Sequence, residues 1–356
     1  MRFLIPLASL AALFVAWWAV AHRGPAPLVV YCAHDSIYSE KILHAFEKRA
    51  GIPVAIRFDT EATKSLGLVE LLVQEKGSPR CDVFWNNELL GTMDLAERGI
   101  LDPYKGPGWQ RIPEKFRDPD GRWTGFAARM RAVVYNTDSA KRNFGKIPHD
   151  LKRWAIAKPL YGTTLTHYSA LWHTLGAEGL KTWHREWRNG GVVELNGNAA
   201  VTAAIAQGIC DTGFTDTDDV FAAEDNGQPV SFYPVTLDTG ETIVIPNTIA
   251  VIRGTKHGTQ ARQLVDFLLS EETEIALARS KSRQIPLGPV AAKYLPHDTR
   301  GPSDTPRLSV PSPEAADYLS SDVRWMIDSA RRGVDLTKLG PARAECLAWL
   351  KSEYLR

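Results

Sequence analysis

The sequence predicts an α/β protein of two parallel-sheet lobes, joined by strands that cross between them, with a ligand cleft in the gap. Three observations carry this. From residue 28 to 98, β-branched runs alternate with amphipathic helical stretches, the pattern of a parallel sheet covered by helices. A strand-like run at 126–135 (FAARMRAVVY) leads into a second alternation that ends near residue 219. A β-branched run at 241–252 (ETIVIPNTIAVI) then leads back toward the first unit.

The elements follow in order. Residues 28–31 (LVVY) open as a buried strand, and 36–51 fit a helix with Ile37, Ile42, Leu43 and Phe46 on its apolar face and Gly51 as its stop. Residues 52–58 form the next strand, 64–76 a helix lined by Leu66, Val69, Leu72 and Val73, 81–85 (CDVFW) a third strand, and 88–98 a helix stopped by Gly99. The second unit reads as strand at 156–162, a helix after Thr166, strand at 192–195, helix at 199–207 and strand at 212–214. Residues 259–270 and 271–279 are helices, 297–313 an exposed loop rich in Pro, Ser and Asp, and the last forty or so residues a helical tail with Leu347, Leu350 and Tyr354 on one face. These elements predict a first lobe of 28–130 with about 245–300, a second lobe of 131–244, and a tail of 301–356 packed on both.

With 356 residues the chain has room for two domains, and 44% hydrophobic with 23% charged residues is the composition of a folded protein. A net charge of +1 argues against nucleic acid or an acidic membrane surface as partner. Met1 and Arg2 precede an uncharged apolar run that ends Ala19-Val20-Ala21, so residues 1–21 read as a secretory signal cleaved after Ala21. Retention as a single anchor, with Trp17 and Trp18 at the interface, is the other reading. Either way the chain is expected to be exported. Cys32, Cys81, Cys210 and Cys346 show no metal-site spacing, and the first three lie in or beside strand-like runs, as buried free thiols do.

In a bilobal α/β protein the ligand sits beyond the carboxyl ends of the strands. The loops at 32–36, 85–88, 162–167, 196–199 and 215–219 are therefore the candidates. The last holds GFTDTDDV, with Asp216, Asp218 and Asp219 inside four residues. Clustered carboxylates suit a hard cation, or an ammonium or guanidinium group. Asp218 or Asp219 as the cap of the following helix is the plainer alternative. Thr163, Thr164 and Thr166 in GTTLTHY bring hydroxyls and free N–H groups of a helix start, which suit an anion, with an ordinary Thr cap as the alternative. Tyr31, Asp35, Asn87 and Glu88 belong to the facing lobe. Asp35 and Glu88 also suit the first turn of a helix, and Arg129 suits a carboxylate on the ligand or, as the plainer pairing, the Asp cluster itself. His167 reads as a helix-surface residue. Asp211-Thr212-Gly213 and Asp238-Thr239-Gly240 spell the aspartic-protease triplet, but in an α/β chain they carry no weight. No nucleophile elbow, phosphate loop or zinc-protease helix is present, so an exported metal-dependent hydrolase using the Asp cluster is the weaker rival to a binding protein.

Five blocks in fixed order, VVYCAHDSIYSEKILHAFEKRAGIPVAIRF, CDVFWNNELLGTMDLAERGILDPY, WTGFAARMRAVVYNTD, NGNAAVTAAIAQGICDTGFTDTDD and TIVIPNTIAVIRGTKHGTQARQLVDFLLSEE, resemble the extracellular solute-binding proteins of ABC importers, in the branch of the ferric-ion-binding proteins. The resemblance implies a hinged periplasmic receptor of the type II-like bilobal class, a monomer that hands its cargo to an ABC permease. It implies Fe³⁺ or a divalent cation with a companion anion as cargo, and no required cofactor. Asp218 and Asp219 fall where the family's metal-binding tyrosine pair stands, Asp35 at its histidine with His34 adjacent, and Asn87 at its glutamate with Glu88 adjacent. Thr163, Thr164, Thr166 and Asn198 match the companion-anion residues. Replacement of both tyrosines leaves an organic cation or amine, or a phosphorylated solute, as alternative cargo.

Overall fold

The computed structural model describes residues 26–59, 66–142, 150–294 and 319–354. The predicted signal segment and the predicted loop at 297–313 lie outside them. The described strands are β1 (Leu28–Cys32), β2 (Val54–Phe58), β3 (Val83–Asn86), β4 (Leu101–Asp102), β5 (Thr124–Asn136), β6 (Trp154–Ala157), β7 (Val193–Leu195), β8 (Thr212–Asp216), β9 (Val230–Pro234) and β10 (Val244–Ile252). The helices that matter below are α1 (Ser36–Ala50), α2 (Leu66–Gln74), α3 (Leu90–Glu97), α4 (Gly162–Asn189), α5 (Asn198–Ala206), α6 (Thr217–Asp225), α7 (Gly258–Leu268), α8 (Glu271–Arg279), α9 (Ser321–Arg331) and α10 (Gly340–Tyr354). No helix among the described residues is long and apolar enough to cross a membrane.

Strand order is β2-β1-β3-β10-β5-β8-β6-β7, with β4 added on β10 and β9 on β5. The fold is mixed α/β and bilobal. β1 pairs parallel with β2 and β3, and β6 pairs parallel with β7 and β8. Side chains alternate between faces as period 2 demands. Val30, Cys32, Val83 and Trp85 enter one apolar cluster, and Tyr31, Ala33 and Phe84 the opposite one. A third cluster around Ala155, Val201, Ile205 and Val220 serves the other half. All four cysteines are buried free thiols.

β5 is the connection. Its first residues pair with β10, and from Arg131 onward it pairs with β8 and β9. The handover is irregular: β10 bulges between Ile245 and Asn247, Ala127 has a φ of 41°, and Asn247 Nδ2 donates to the Ala127 carbonyl. A non-glycine residue in this region is strained and persists only where its surroundings hold it. Glu274 on α8 does the holding. Its fully buried carboxylate accepts from the N–H groups of Ala127 (2.9 Å), Leu287 (2.8 Å) and Gly288 (3.1 Å) and from Arg111 Nη1 (2.6 Å). Glu274→Ala strands three buried N–H donors and one guanidinium. It should cost about 3–5 kcal/mol, the range for breaking a buried ion pair. Chemical denaturation of variant and parent measures it.

The predicted helical tail is two helices. Between α9 and α10 the Val334 N–H donates to Thr242 O at the sheet edge, and Val334, Leu336 and Leu339 enter the apolar cluster of α2 and α3. Ala342, Cys346 and Leu350 of α10 then pack on Leu165, Tyr168 and Leu180 of α4. That long helix breaks at Gly176, whose φ of 72° no helical residue adopts.

Candidate functional site at the ends of β1, β3, β6 and β8

β8 ends at Asp216, and α6 begins at the next residue. The predicted acidic loop is therefore a strand end followed by the first turn of a helix, and its three carboxylates have different surroundings. Asp216 stands directly opposite Arg131 in the antiparallel β5–β8 pair. Cross-strand neighbours on one face are close enough to bond, and Asp216 Oδ1 accepts from Arg131 Nη1 at 2.7 Å. Its Oδ2 accepts from Thr163 Oγ1 (2.5 Å) and Asn198 Nδ2 (2.9 Å). Asp216 occupies the N-cap position of α6 without a side-chain cap bond. Both of its oxygens are thus bonded to protein donors.

Two glycines aim those donors. Gly162 (φ 60°) and Gly197 (φ 105°) turn the chain sharply, so Thr163 falls in the first turn of α4 and Asn198 opens α5. The helix expected only after Thr166 begins at Gly162 for this reason. Thr164 Oγ1 donates to Asn198 Oδ1 at 3.2 Å, whereas Thr166 Oγ1 donates back to Gly162 O within the helix. Thr166 is thereby turned from the cleft. Arg131, absent from the predicted site, is the centre of the cluster and wholly buried.

Asp218 and Asp219 sit one residue apart on the first turn of α6, neither of them the cap that the sequence allowed. Asp218 Oδ2 lies 3.1 Å from Arg129 Nε, and Asp219 Oδ2 accepts from Thr215 Oγ1 at 3.2 Å. One carboxylate oxygen from each of Asp216, Asp218 and Asp219 lies within 4.8 Å of the others. Burial alone would lower the Arg129 guanidinium, but the charges of Asp218, Asp216, Asp35 and Asp219 outweigh it and hold it above its ordinary value. Four carboxylates thus share a field with two guanidiniums, Arg129 and Arg131.

The facing half contributes less than predicted. Asp35 precedes α1 without capping it and adds its charge to the cluster. Tyr38, one turn into α1, was not predicted. Burial first, then the charges of Asp218, Asp35, Asp219 and Asp225, push its phenol up to about 12. Arg129 Nη1 donates to the Asn87 carbonyl (3.1 Å) and Nη2 to Asn247 Oδ1 (3.2 Å). Asn247 Nδ2 donates to Gln284 Oε1 (3.0 Å), and Gln284 Nε2 donates to His34 Nε2 (2.5 Å). This buried chain joins His34 to Arg129 through Gln284 and Asn247. The Glu88 carboxylate accepts from the Leu90 (2.6 Å) and Gly91 (2.7 Å) N–H groups at the start of α3. Tyr31 turns away, donating to Glu75. His167 is buried against Phe214, contrary to its predicted surface position. Burial and then the Arg131 charge hold its imidazole well below the usual range.

At the far end of α6, Arg283 bonds Asp225 at 2.5 Å and reaches Glu224 only at 3.7 Å. Burial raises Glu224 to about 7, against the lowering by Arg283 and with help from Asp322 and Asp225. A raised carboxyl favours the folded state when protonated. Stability from this group is present below roughly pH 4.3 and is lost as pH climbs toward 7. Glu224→Gln should flatten the decline of melting temperature across that window, and thermal melts from pH 4.5 to 7.5 read it.

A bilobal α/β scaffold with binding groups on strand ends of both halves, facing one another across crossing strands, is that of a cleft receptor. The chain belongs to the bacterial extracellular solute-binding protein family, whose profile matches residues 34–275. It is 24% identical over 302 residues to the Fe(3+)-binding periplasmic protein of Serratia marcescens, covering 81% of this chain and 87% of that one. Its fold matches the apo ferric ion-binding protein A of Pasteurella haemolytica with a TM-score of 0.71 at 18% identity, over 92% of this chain and 97% of that one. It also matches the periplasmic binding protein AfuA of Actinobacillus pleuropneumoniae, solved with fructose-6-phosphate, with a TM-score of 0.70 at 17% identity, over 93% of this chain and 99% of that one.

Proposed function

We propose that this protein is the periplasmic cargo-capturing component of an ABC importer and that its cargo is a hard metal cation, Fe³⁺ first among them. Asp218 and Asp219 bind it from one half and Asp35 from the other. The carrying observation is convergence: Asp216, Asp218 and Asp219 each bring a carboxylate oxygen within 4.8 Å of the others, and the charge of Asp35 reaches the same Arg129 guanidinium. Clustered carboxylate oxygens are the ligands a hard cation takes. The names of the relatives, Fe(3+)-binding periplasmic protein and iron uptake protein, support the iron reading. The lobes meet as 28–130 with about 245–300 against 131–244, and bending of β5 and β10 brings Asp35 and Asp218 together around cargo. Closure follows cargo because only the closed state offers ligands from both halves. The export reading rests on residues 1–21. Handing cargo on without chemistry agrees with membership of a solute-binding family.

A second reading has its own observation. The Arg129 guanidinium already sits on Asp218 at 3.1 Å, so the acidic turn accepts a planar organic cation. A phosphorylated solute is the poorest fit, since an acidic cleft repels it.

A thermal-shift panel on the chain from His22 onward separates these. Fe³⁺, divalent ions, polyamines, thiamine and phosphosugars are compared at saturation, where a ligand at a hundredfold its dissociation constant adds about 2.7 kcal/mol. A rise with Fe³⁺ and none with phosphosugars is the expected result. A rise with amines alone would replace the metal reading by the organic one.

A further inference from the structure

Arg131, Thr163 and Asn198 form the donor set that an anion would seek: a wholly buried guanidinium, a hydroxyl and an amide at the starts of two helices. In this protein those donors converge on a carboxylate of the chain itself. Asp216 takes bonds of 2.7 Å from Arg131, 2.5 Å from Thr163 and 2.9 Å from Asn198, which occupies both of its oxygens. We infer that Asp216 is a built-in counter-anion. It closes this donor set to external anions, so that cargo binds without a companion anion. The inference rests on the cation reading above for its second half only; the closed donor set stands on the geometry alone.

Three features support it. The pairing is fixed by strand register, Asp216 lying opposite Arg131, so the carboxylate is delivered by the fold and does not arrive by diffusion. The donors are also mutually bonded, with Thr163 and Asn198 joined at 2.8 Å and Arg131 reaching Asn198 Oδ1 at 3.1 Å, which holds them preorganised whether or not the acid is present. Finally, Arg131 Nε and Nη2 are buried with no hydrogen-bond partner among the described residues, so the cluster carries more donor capacity than Asp216 uses. Removing the acid should therefore expose a site with unspent affinity for an oxyanion.

The test uses the full mature chain and inorganic phosphate, with chloride at matched ionic strength as control. Asp216→Ala and the milder Asp216→Asn are melted with and without phosphate, no metal present. The variants should rise by roughly 3–6 °C at saturating phosphate while the parent moves by less than about 1 °C. The parent is then titrated with Fe³⁺ in buffer free of carbonate and phosphate, and again with phosphate added, where its affinity should change less than about twofold. A parent that is stabilised by phosphate as strongly as its variants would overturn the closed donor set. Fe³⁺ binding that strengthens tenfold or more with phosphate would overturn the anion-free capture while leaving the cation reading intact. Variants that respond to phosphate beside a parent that binds no Fe³⁺ would sink the iron reading and keep the self-filled set. Should neither variant fold, the parent's own two titrations still decide the matter.

Discussion

Asp218→Asn combined with Asp219→Asn should weaken cation binding by on the order of a hundredfold or more, with the fold retained. Each substitution removes one charge and keeps the shape of the side chain. A bond to a charged group is worth about 1.5–3 kcal/mol, so two such losses amount to two decades or more in affinity. The fold survives because Arg129 keeps its bonds to Asn87 O and Asn247 Oδ1, and Asp216 and Asp35 still act on it. Calorimetric titration with Fe³⁺, beside a circular-dichroism melt of the same sample, makes the measurement. Affinity equal to the parent's would remove the first turn of α6 from the site.

A loss of stability as large as that of Glu274→Ala is expected at Arg131→Ala. This guanidinium is fully buried and bonds Asp216, Thr163 and Asn198 at once. Its removal leaves a buried carboxylate without a counter-charge, a defect that costs about 3–5 kcal/mol or roughly 6–15 °C in melting temperature. Arg98→Ala is the control. Its partner Asp94 lies one turn away on an exposed helix face, and such pairs contribute at most about 1 kcal/mol. The double variant Arg131→Ala, Asp216→Ala should be less destabilised than Arg131→Ala alone, because the orphaned charge goes with its partner. Equal shifts for Arg131 and Arg98 would show that the cluster is not the buried pair its geometry describes.

Much of the scaffold was readable before any coordinates. Period-2 runs at β1 and β3 and the glycine stop after α1 are local signals, and the structure repeats them within two residues. The crossing role of β5 was readable too, since a long β-branched run between two alternating units has few other uses. The division of labour inside GFTDTDDV was not. Asp216 is set apart from Asp218 and Asp219 by a register between strands 85 residues distant, and adjacency in sequence hides that. Arg131 did leave a trace: in FAARMRAVVY it follows Arg129 by two, which puts both cations on one face of a strand. Tyr38 left none, because a tyrosine early in an amphipathic helix reads as core. The bonds of His34 to Gln284 and of Tyr31 to Glu75 left no trace, since packing joins residues 250 and 44 positions apart, whereas Glu88 at the start of α3 is a local signal.

The two-helix tail bears on how such a molecule can move. A joint made only of β5 and β10 has freedom to bend and also to twist about its own length. Here the tail touches both halves: Val334 bonds Thr242 O, Leu336 and Leu339 enter a cluster that holds Leu95 as well as Trp154, and Cys346 and Leu350 pack on α4. Any movement of one half against the other about β5 and β10 must slide these apolar residues over one half or pull Leu336 or Leu350 from its seat.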